Sequence, residues 1–150
     1  MKIEGTHAIP APREVVWQLL MNPDVLAHSL PGCEKLVPNS DGSYHAELKI
    51  SMGAVRGSYQ GRVEILDPVP PQRYRMKVQG QGTSGFVKGE GTLTLSDDDA
   101  TATTVSYSGD AQVGGVIASV GQRLIHAAAH QLADHFFQEL AKQVQSSPME

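Results

Sequence analysis

The chain has 150 residues, with 12 Lys and Arg against 16 Asp and Glu, and a formal net charge of −4. That length suits one domain, and a chain of this size buries roughly 70% of its unfolded surface, enough for a core without staples. The scattered basic residues lack the basic face of a nucleic-acid binder. One cysteine cannot build a disulfide framework or a cysteine-based zinc site, and no run approaches the ~20 apolar residues of a membrane-spanning helix.

Residues 1–5 lack the apolar run of a signal peptide, so a soluble, reduced, cytoplasmic protein is expected. Residues 2–9 alternate, with Ile3, Gly5, His7 and Ile9 on one side, and predict a strand. Pro10-Ala11-Pro12 ends it. A helix should follow over 13–21, with Val16, Trp17, Leu19 and Leu20 as its apolar positions. Asn22-Pro23-Asp24 starts a second, with Asn22 as cap and Pro23 in the first turn. It should end near Ser29, before the turn at Pro31-Gly32.

From Cys33 to Val113 the period is two. A short strand over 33–37 is followed by one with Tyr44, Ala46, Leu48, Ile50 and Met52 on a single face. The next carries Val55, Gly57, Tyr59, Gly61, Val63 and Ile65, and the one after it Tyr74, Met76, Val78, Gly80 and Gly82. Two more place Val87, Gly89, Gly91, Leu93 and Leu95, then Val105, Tyr107, Gly109, Ala111 and Val113, on the same side. Turns are expected at 39–42, 52–54, 67–71, 83–85 and 97–99. One apolar and one polar face is the pattern of an antiparallel sheet wet on one side.

The last third is the only long helical pattern. From Gly114 to about Val144, Ile117, Val120, Leu124 and Ala128 fall on one line. Ile125, Ala129, Leu132, Phe136, Leu140 and Val144 fall on an adjacent one. Such a stripe must be buried, and the sheet is its partner. The order is therefore β-αα-ββββββ-α, an α+β arrangement of seven strands.

Seven glycines, at 57, 61, 80, 82, 89, 91 and 109, fall on the apolar face. Glycine inside a strand gives no side chain to pack. Bulges, sheet curvature and close approach of the helix would each account for them. So would a hollow between sheet and helix, the kind of space that binds apolar ligands.

Several segments stand out together: Ala11-Pro12 with Val16-Trp17, Asn22-Pro23-Asp24-Val25-Leu26 and Leu30-Pro31-Gly32-Cys33-Glu34. To these are added Gly57-Ser58-Tyr59-Gln60-Gly61, the run Gly80-x-Gly82-x-x-Gly85, and the segment 113–124 with its Val-Gly-Gln-Arg-Leu ending. In these segments and in its element order the chain resembles the CoxG-like family of carbon monoxide dehydrogenase subunits, within the START/Bet v 1-like (SRPBCC) superfamily. The resemblance implies a helix-grip fold over 1–145, a curved antiparallel sheet wrapped around the C-terminal helix, with 146–150 as a frayed tail. It also implies a non-catalytic accessory protein of a molybdenum-containing dehydrogenase, tied to membrane recruitment and to quinone or lipid handling.

Leu48, Ile50, Tyr59, Met76, Val78, Val105, Tyr107, Ile117, Val120, Leu124 and Ala128 are the expected lining of the cavity. Tyr59 and Tyr107 would supply the polar groups that orient an apolar ligand. The segment from Leu132 to Val144 is read as packing. No cofactor or catalytic residue is expected, and the partners expected are a quinone or lipid and a carbon monoxide dehydrogenase-like complex. A peripheral contact at the inner membrane face is the alternative to a purely cytoplasmic location.

Other constellations read more plainly. His126 and His130, at i and i+4 with Asp134 beyond, have a spacing that can hold zinc, but three alanines separate them and solvated histidines beside the stripe are expected. Cys33 has no base near in sequence and reads as structural. The three aspartates at 97–99 lack the spaced ligands of a calcium loop. The competing functions are a cyclase- or dehydratase-type enzyme, which needs titratable groups converging in the cavity, and a docking module without ligand. His7 is the only ionisable residue on the inner face of the strands.

Overall fold

A computed structural model describes residues 1–51 and 55–146. The alternating segments form seven strands: β1 (Lys2–Ile9), β2 (Cys33–Pro38), β3 (Tyr44–Ile50), β4 (Gly57–Val69), β5 (Arg73–Gly82), β6 (Gly85–Asp99) and β7 (Ala102–Gly114). Between β1 and β2 lie α1 (Arg13–Leu20) and α2 (Pro23–Ser29), and after β7 come a 3-10 helix (Val116–Val120) and α3 (Gln122–Ser146). The sheet order is β1-β7-β6-β5-β4-β3-β2, every pair antiparallel. Successive hairpins build it, and only β1 pairs across the length of the chain, with Lys2 opposite Asp110. Met52 and the expected turn at 52–54 lie outside the described residues, as do 147–150 of the expected tail.

The local chemistry expected at α2 is present. The Asn22 side chain accepts from the Asp24 backbone N–H at 2.9 Å, and Pro23 occupies the first turn. These two residues satisfy and pre-shape a helix start.

Three boundaries differ from expectation. The turn placed at 67–71 is partly strand: β4 runs on to Val69, with its register shifting between Leu66 and Val69. Asp67 takes up the irregularity at φ 49°, a left-handed conformation that Asp tolerates better than most residues. The aspartates at 97–99 are the end of β6, and the turn falls at Ala100 and Thr101. The Asp99 carboxylate accepts from the Thr101 N–H and hydroxyl at 2.7 Å each, so the turn starts at this residue.

The third difference concerns the long helix. It does not run unbroken from Gly114: the 3-10 helix comes first, and α3 begins only at Gln122. Gly115 at φ 83° and Gly121 at φ 99° bracket the short helix. Both angles are left-handed, which glycine adopts at no steric cost and which interrupts a right-handed helix.

The inner face of the sheet holds two packed regions. The main core gathers Ile9, Val16, Leu20, Tyr74, Leu93, Leu95, Val105, Phe137 and Leu140, where α1 and the C-terminal half of α3 lie on β1, β5, β6 and β7. Thr103 is satisfied within this region, its hydroxyl donating to the Ala11 carbonyl at 2.7 Å. A smaller cluster of Ile50, Tyr59 and Ile117 closes the opposite end, with Leu48, Val87, Val113 and Leu132 around it. The 3-10 helix is pinned there by the Ile117 N–H, which donates to the Ser84 carbonyl at 2.8 Å.

Candidate ligand-binding site

Between the two packed regions the inner face is thinly covered. Strand register aligns Met76, Gly91, Gly109 and Ile3 in one row across the sheet. Val78, Gly89 and Ala111 form the next. These rows, with Leu93 and Tyr107 beside them, line a hollow of about 170 Å³. Its inward-facing walls are apolar apart from the Tyr107 hydroxyl.

The glycines of the inner face, of which Gly89, Gly91 and Gly109 floor the hollow, have two different causes. At Gly109 an added Cβ would lie 2.5 Å from the Glu90 carbonyl oxygen, and at Gly91 it would lie 2.8 Å from that of Ser108. Here the strands approach too closely for a side chain, so sheet curvature dictates glycine. At Gly80 an added Cβ meets nothing within 4 Å, and at Gly89 only ordinary contacts of 3.4 Å and more. Those positions are open. Curvature and space thus both operate, at different residues.

The expected lining residues fall into five groups. Met76, Val78 and Tyr107 border the hollow. Leu48, Ile50, Tyr59 and Ile117 pack in the smaller cluster, and Val105 is fully buried in the main core. Ala128 is buried on α3. Val120 and Leu124 are corrections: they are 37% and 53% exposed and do not face the interior. The break at Gly121 ends the line that would have carried Ile117 and Val120 into register with Leu124.

Ile3, Leu93 and Ala111 also border the hollow without being among the expected lining, although the period-two pattern puts all three on the inner face. Phe137 is the larger omission. It is 4% exposed and stacks with the ring of His7 at 4.9 Å and that of Tyr107 at 5.6 Å. Helical spacing points to its neighbour Phe136, which also packs against the core.

The two inward tyrosines have different duties. Tyr59 donates its hydroxyl to the Val55 carbonyl at 2.6 Å, which commits it to structure. The Tyr107 hydroxyl has no hydrogen-bond partner among the described residues, and it lies over the backbone of Gly5, where a Cβ would come within 2.5 Å of the oxygen. Burial, and secondarily the Asp134 carboxylate, push the Tyr107 phenol up. It therefore stays a neutral O–H donor.

His7 meets a carboxylate, not a second histidine. Its Nε2 lies 2.9 Å from Asp134 Oδ1, joining β1 to α3. Asp134 is thereby drawn away from the His126 and His130 pair, whose rings lie 4.7 Å apart. Among the described residues no three His, Cys, Asp or Glu side chains are grouped to hold a metal ion. Cys33 donates to the Lys35 carbonyl at 3.4 Å, and burial pushes its thiol up. Activation of a nucleophile requires the opposite shift.

A larger groove of about 510 Å³ lies on the outer face, lined by His45, Gln60, Arg62, Gln79, Gln81 and Lys88 among others. Arg62 there is already paired with Asp41 at 2.7 Å and Glu64 at 3.3 Å. It is the solvated side of the sheet. Among the described residues no helix is long and apolar enough to cross a membrane.

Comparison with known proteins matches this geometry to a family. The model of the CoxG family of carbon monoxide dehydrogenase subunits matches residues 5–145. A conserved protein from Geobacillus kaustophilus is similar at 33% identity and a TM-score of 0.95, over 98% of this chain and 97% of that one. A START superfamily protein from Mycobacterium smegmatis shares the fold at 14% identity and a TM-score of 0.73, over 96% and 97% of the two chains. So does the Zhui aromatase/cyclase from Streptomyces sp. R1128, at 17% identity and 0.69, over 97% and 93%. No curated protein matches. With a helix-grip, START-like fold and a family match over nearly its whole length, the chain belongs to the CoxG family of carbon monoxide dehydrogenase subunits.

Proposed function

We propose that this protein is a non-catalytic carrier that seats the head of an apolar molecule in the hollow on the inner face of the sheet, over β1, β5, β6 and β7. The observation that carries the reading is the hollow itself: apolar inward walls, a glycine floor and one hydroxyl, that of Tyr107, without a hydrogen-bond partner among the described residues. Its size narrows the cargo. Sites that enclose a whole drug-sized ligand run from ~300 to 1,000 Å³, whereas a dry cavity of ~150 Å³ takes a single benzene ring. At about 170 Å³ the space suits one ring, with any tail lying outside. A quinone, whose ring oxygens would accept from the Tyr107 hydroxyl, fits that description better than a lipid with two acyl chains. Membership of the CoxG family supports service to a molybdenum-containing carbon monoxide dehydrogenase-like enzyme, as quinone supply or recruitment.

Native mass spectrometry of protein purified from its own host is the test. A co-purifying apolar molecule is expected, held about fivefold less well by Tyr107→Phe, the effect of one neutral hydrogen bond. A ligand-free spectrum that stays unchanged after incubation with quinone would sink the reading.

A cyclase- or dehydratase-type enzyme has one observation in its favour, the His7–Asp134 pair two strand positions from Gly5 and Tyr107. Such a pair can orient a general base. Yet His7 does not line the hollow, and its ring is spent on Phe137. The pair acts as a brace between β1 and α3.

A further inference from the structure

Three rings contributed by β1, α3 and β7 stand in a near-parallel stack. His7 lies on Phe137 with 4.9 Å between centroids and 25° between planes. Phe137 lies on Tyr107 at 5.6 Å and 17°. Rings at such separations are offset, the arrangement that their quadrupoles favour. The stack is held at its far end, because His7 Nε2 lies 2.9 Å from Asp134 Oδ1 on the preceding turn of α3. Its middle ring is held as well: Phe137 is 4% exposed, and Phe136 meets it edge-on at 5.0 Å.

The near end is fixed by a missing side chain. Gly5 is the partner of Tyr107 in the β1–β7 register. A Cβ at Gly5 would lie 2.5 Å from the Tyr107 hydroxyl oxygen, 2.8 Å from Cζ and 3.1 Å from Cε1. The phenol therefore rests on bare backbone, a close approach that glycine permits and alanine would deny. With Gly5 under the ring and Phe137 stacked on it, other rotamers of Tyr107 are blocked. The hollow is its remaining border. Tyr107 and Leu93 form the row beside Gly109 and Gly91, so the ring is a wall at one end of the glycine floor.

We propose that Gly5 and Phe137 determine the specificity of the hollow, by holding the Tyr107 ring as a fixed wall on which a planar, unsaturated ring stacks. The occupant is the fourth ring of the stack. A wall ring free to turn offers apolar area alone, which a saturated ring covers as well as an aromatic one. A wall ring held in one orientation adds the geometry-dependent part of an aromatic pair, roughly two- to tenfold in affinity. Neither Gly5 nor Phe137 lines the hollow, so both are positioning residues that act through Tyr107. The proposal rests on the carrier reading and names the class of head that the carrier selects.

The experiment compares benzene with cyclohexane, rings of equal carbon count of which only benzene is planar and unsaturated. Binding to the full chain is read from depletion of each vapour above the protein solution. Wild type should prefer benzene by about fivefold. Phe137→Leu removes the ring that covers Tyr107, and Gly5→Ala lifts Tyr107 off β1. Each should bring the preference close to one. Leu140→Val alters the same core outside the stack and should leave the ratio unchanged. Circular dichroism checks that each variant folds, and if one of the two does not, the other decides.

A wild type that takes both rings equally overturns the proposal, as does a preference that survives both substitutions or that Leu140→Val erodes as much. Size makes a different pattern: Phe137→Leu removes atoms and Gly5→Ala adds one, so a ratio set by space would move in opposite directions. That result also overturns the proposal. In each of these cases the hollow has bound a ring, and the carrier reading stands. Depletion of neither vapour by wild type would instead end the carrier reading and this proposal together, so the two failures are distinct.

Discussion

Gly80 and Gly109 occupy the same inner face, yet a methyl group would meet different surroundings at each. At Gly109 it would press within 2.5 Å of the Glu90 carbonyl oxygen and 2.9 Å of Gly91 Cα; at Gly80 it would meet nothing. Gly109→Ala is expected to cost about 1–3 kcal/mol through forced backbone movement. Gly80→Ala should be neutral or gain about 0.5 kcal/mol by restricting the unfolded chain. Urea melts of both variants decide it, and equal losses would show that the glycine floor has a single cause. Sequence parity put both glycines on this face but could not separate them, because the distinction depends on how closely neighbouring strands approach.

Asp41 makes a second prediction at this scale. It accepts from the Ser43 hydroxyl at 2.6 Å, the Ser43 N–H at 3.0 Å and Arg62 Nη2 at 2.7 Å. The Ser43 hydroxyl first, then Arg62 and the Ser43 amide, hold its carboxyl well below the usual carboxylate range. A depressed folded-state value gives stability that is complete above the unfolded value of ~4 and is lost as pH falls through the folded one. The difference in urea midpoint between wild type and Asp41→Asn should therefore be constant at neutral pH and shrink below pH ~4. A difference independent of pH would contradict the assignment.

Among the elements, α3 divides its own surface. Leu140 is fully buried against the main core while Leu124, four turns earlier, is 53% exposed. Leu140→Ala should cost about 2–5 kcal/mol as a cavity in packed surroundings. Leu124→Asp should stay within about 0.5 kcal/mol of wild type. Thermal melts compare the two, and a large loss at Leu124 would mean that the N-terminal turns of α3 pack after all. The existence of α3 was legible from its period, and so was the burial of Ile125, Ala128 and Leu140. The break at Gly121 and the choice of Phe137 were not. Spacing alone allows either ring of the Phe136-Phe137 pair to turn inward, and the rings of His7 and Tyr107 across the interface select Phe137.

At the scale of the molecule, a seated ligand adds to stability by mass action. Cargo present at about a hundred times its dissociation constant contributes about 2.7 kcal/mol, which for a domain of this size is a rise of roughly 5–10 °C in melting temperature. Stripping the protein of apolar molecules should lower its melting temperature by that amount, and added quinone should restore it. A melting curve indifferent to stripping would mean that the hollow is empty in the native protein.

The element order, the inward and outward faces of the strands and the α2 cap all follow from the sequence by itself. Each depends on a residue's identity and its near neighbours, and periodicity reports which way a side chain points. Tertiary structure alone decided the volume of the hollow, the commitment of Tyr59 to Val55 while Tyr107 stays unpartnered, and the pairing of His7 with Asp134. The His7–Asp134 pair depends on the distance between a strand and a helix brought together from opposite ends of the chain. No local pattern encodes that separation, because the side chains that set it meet only after β1 has closed against β7.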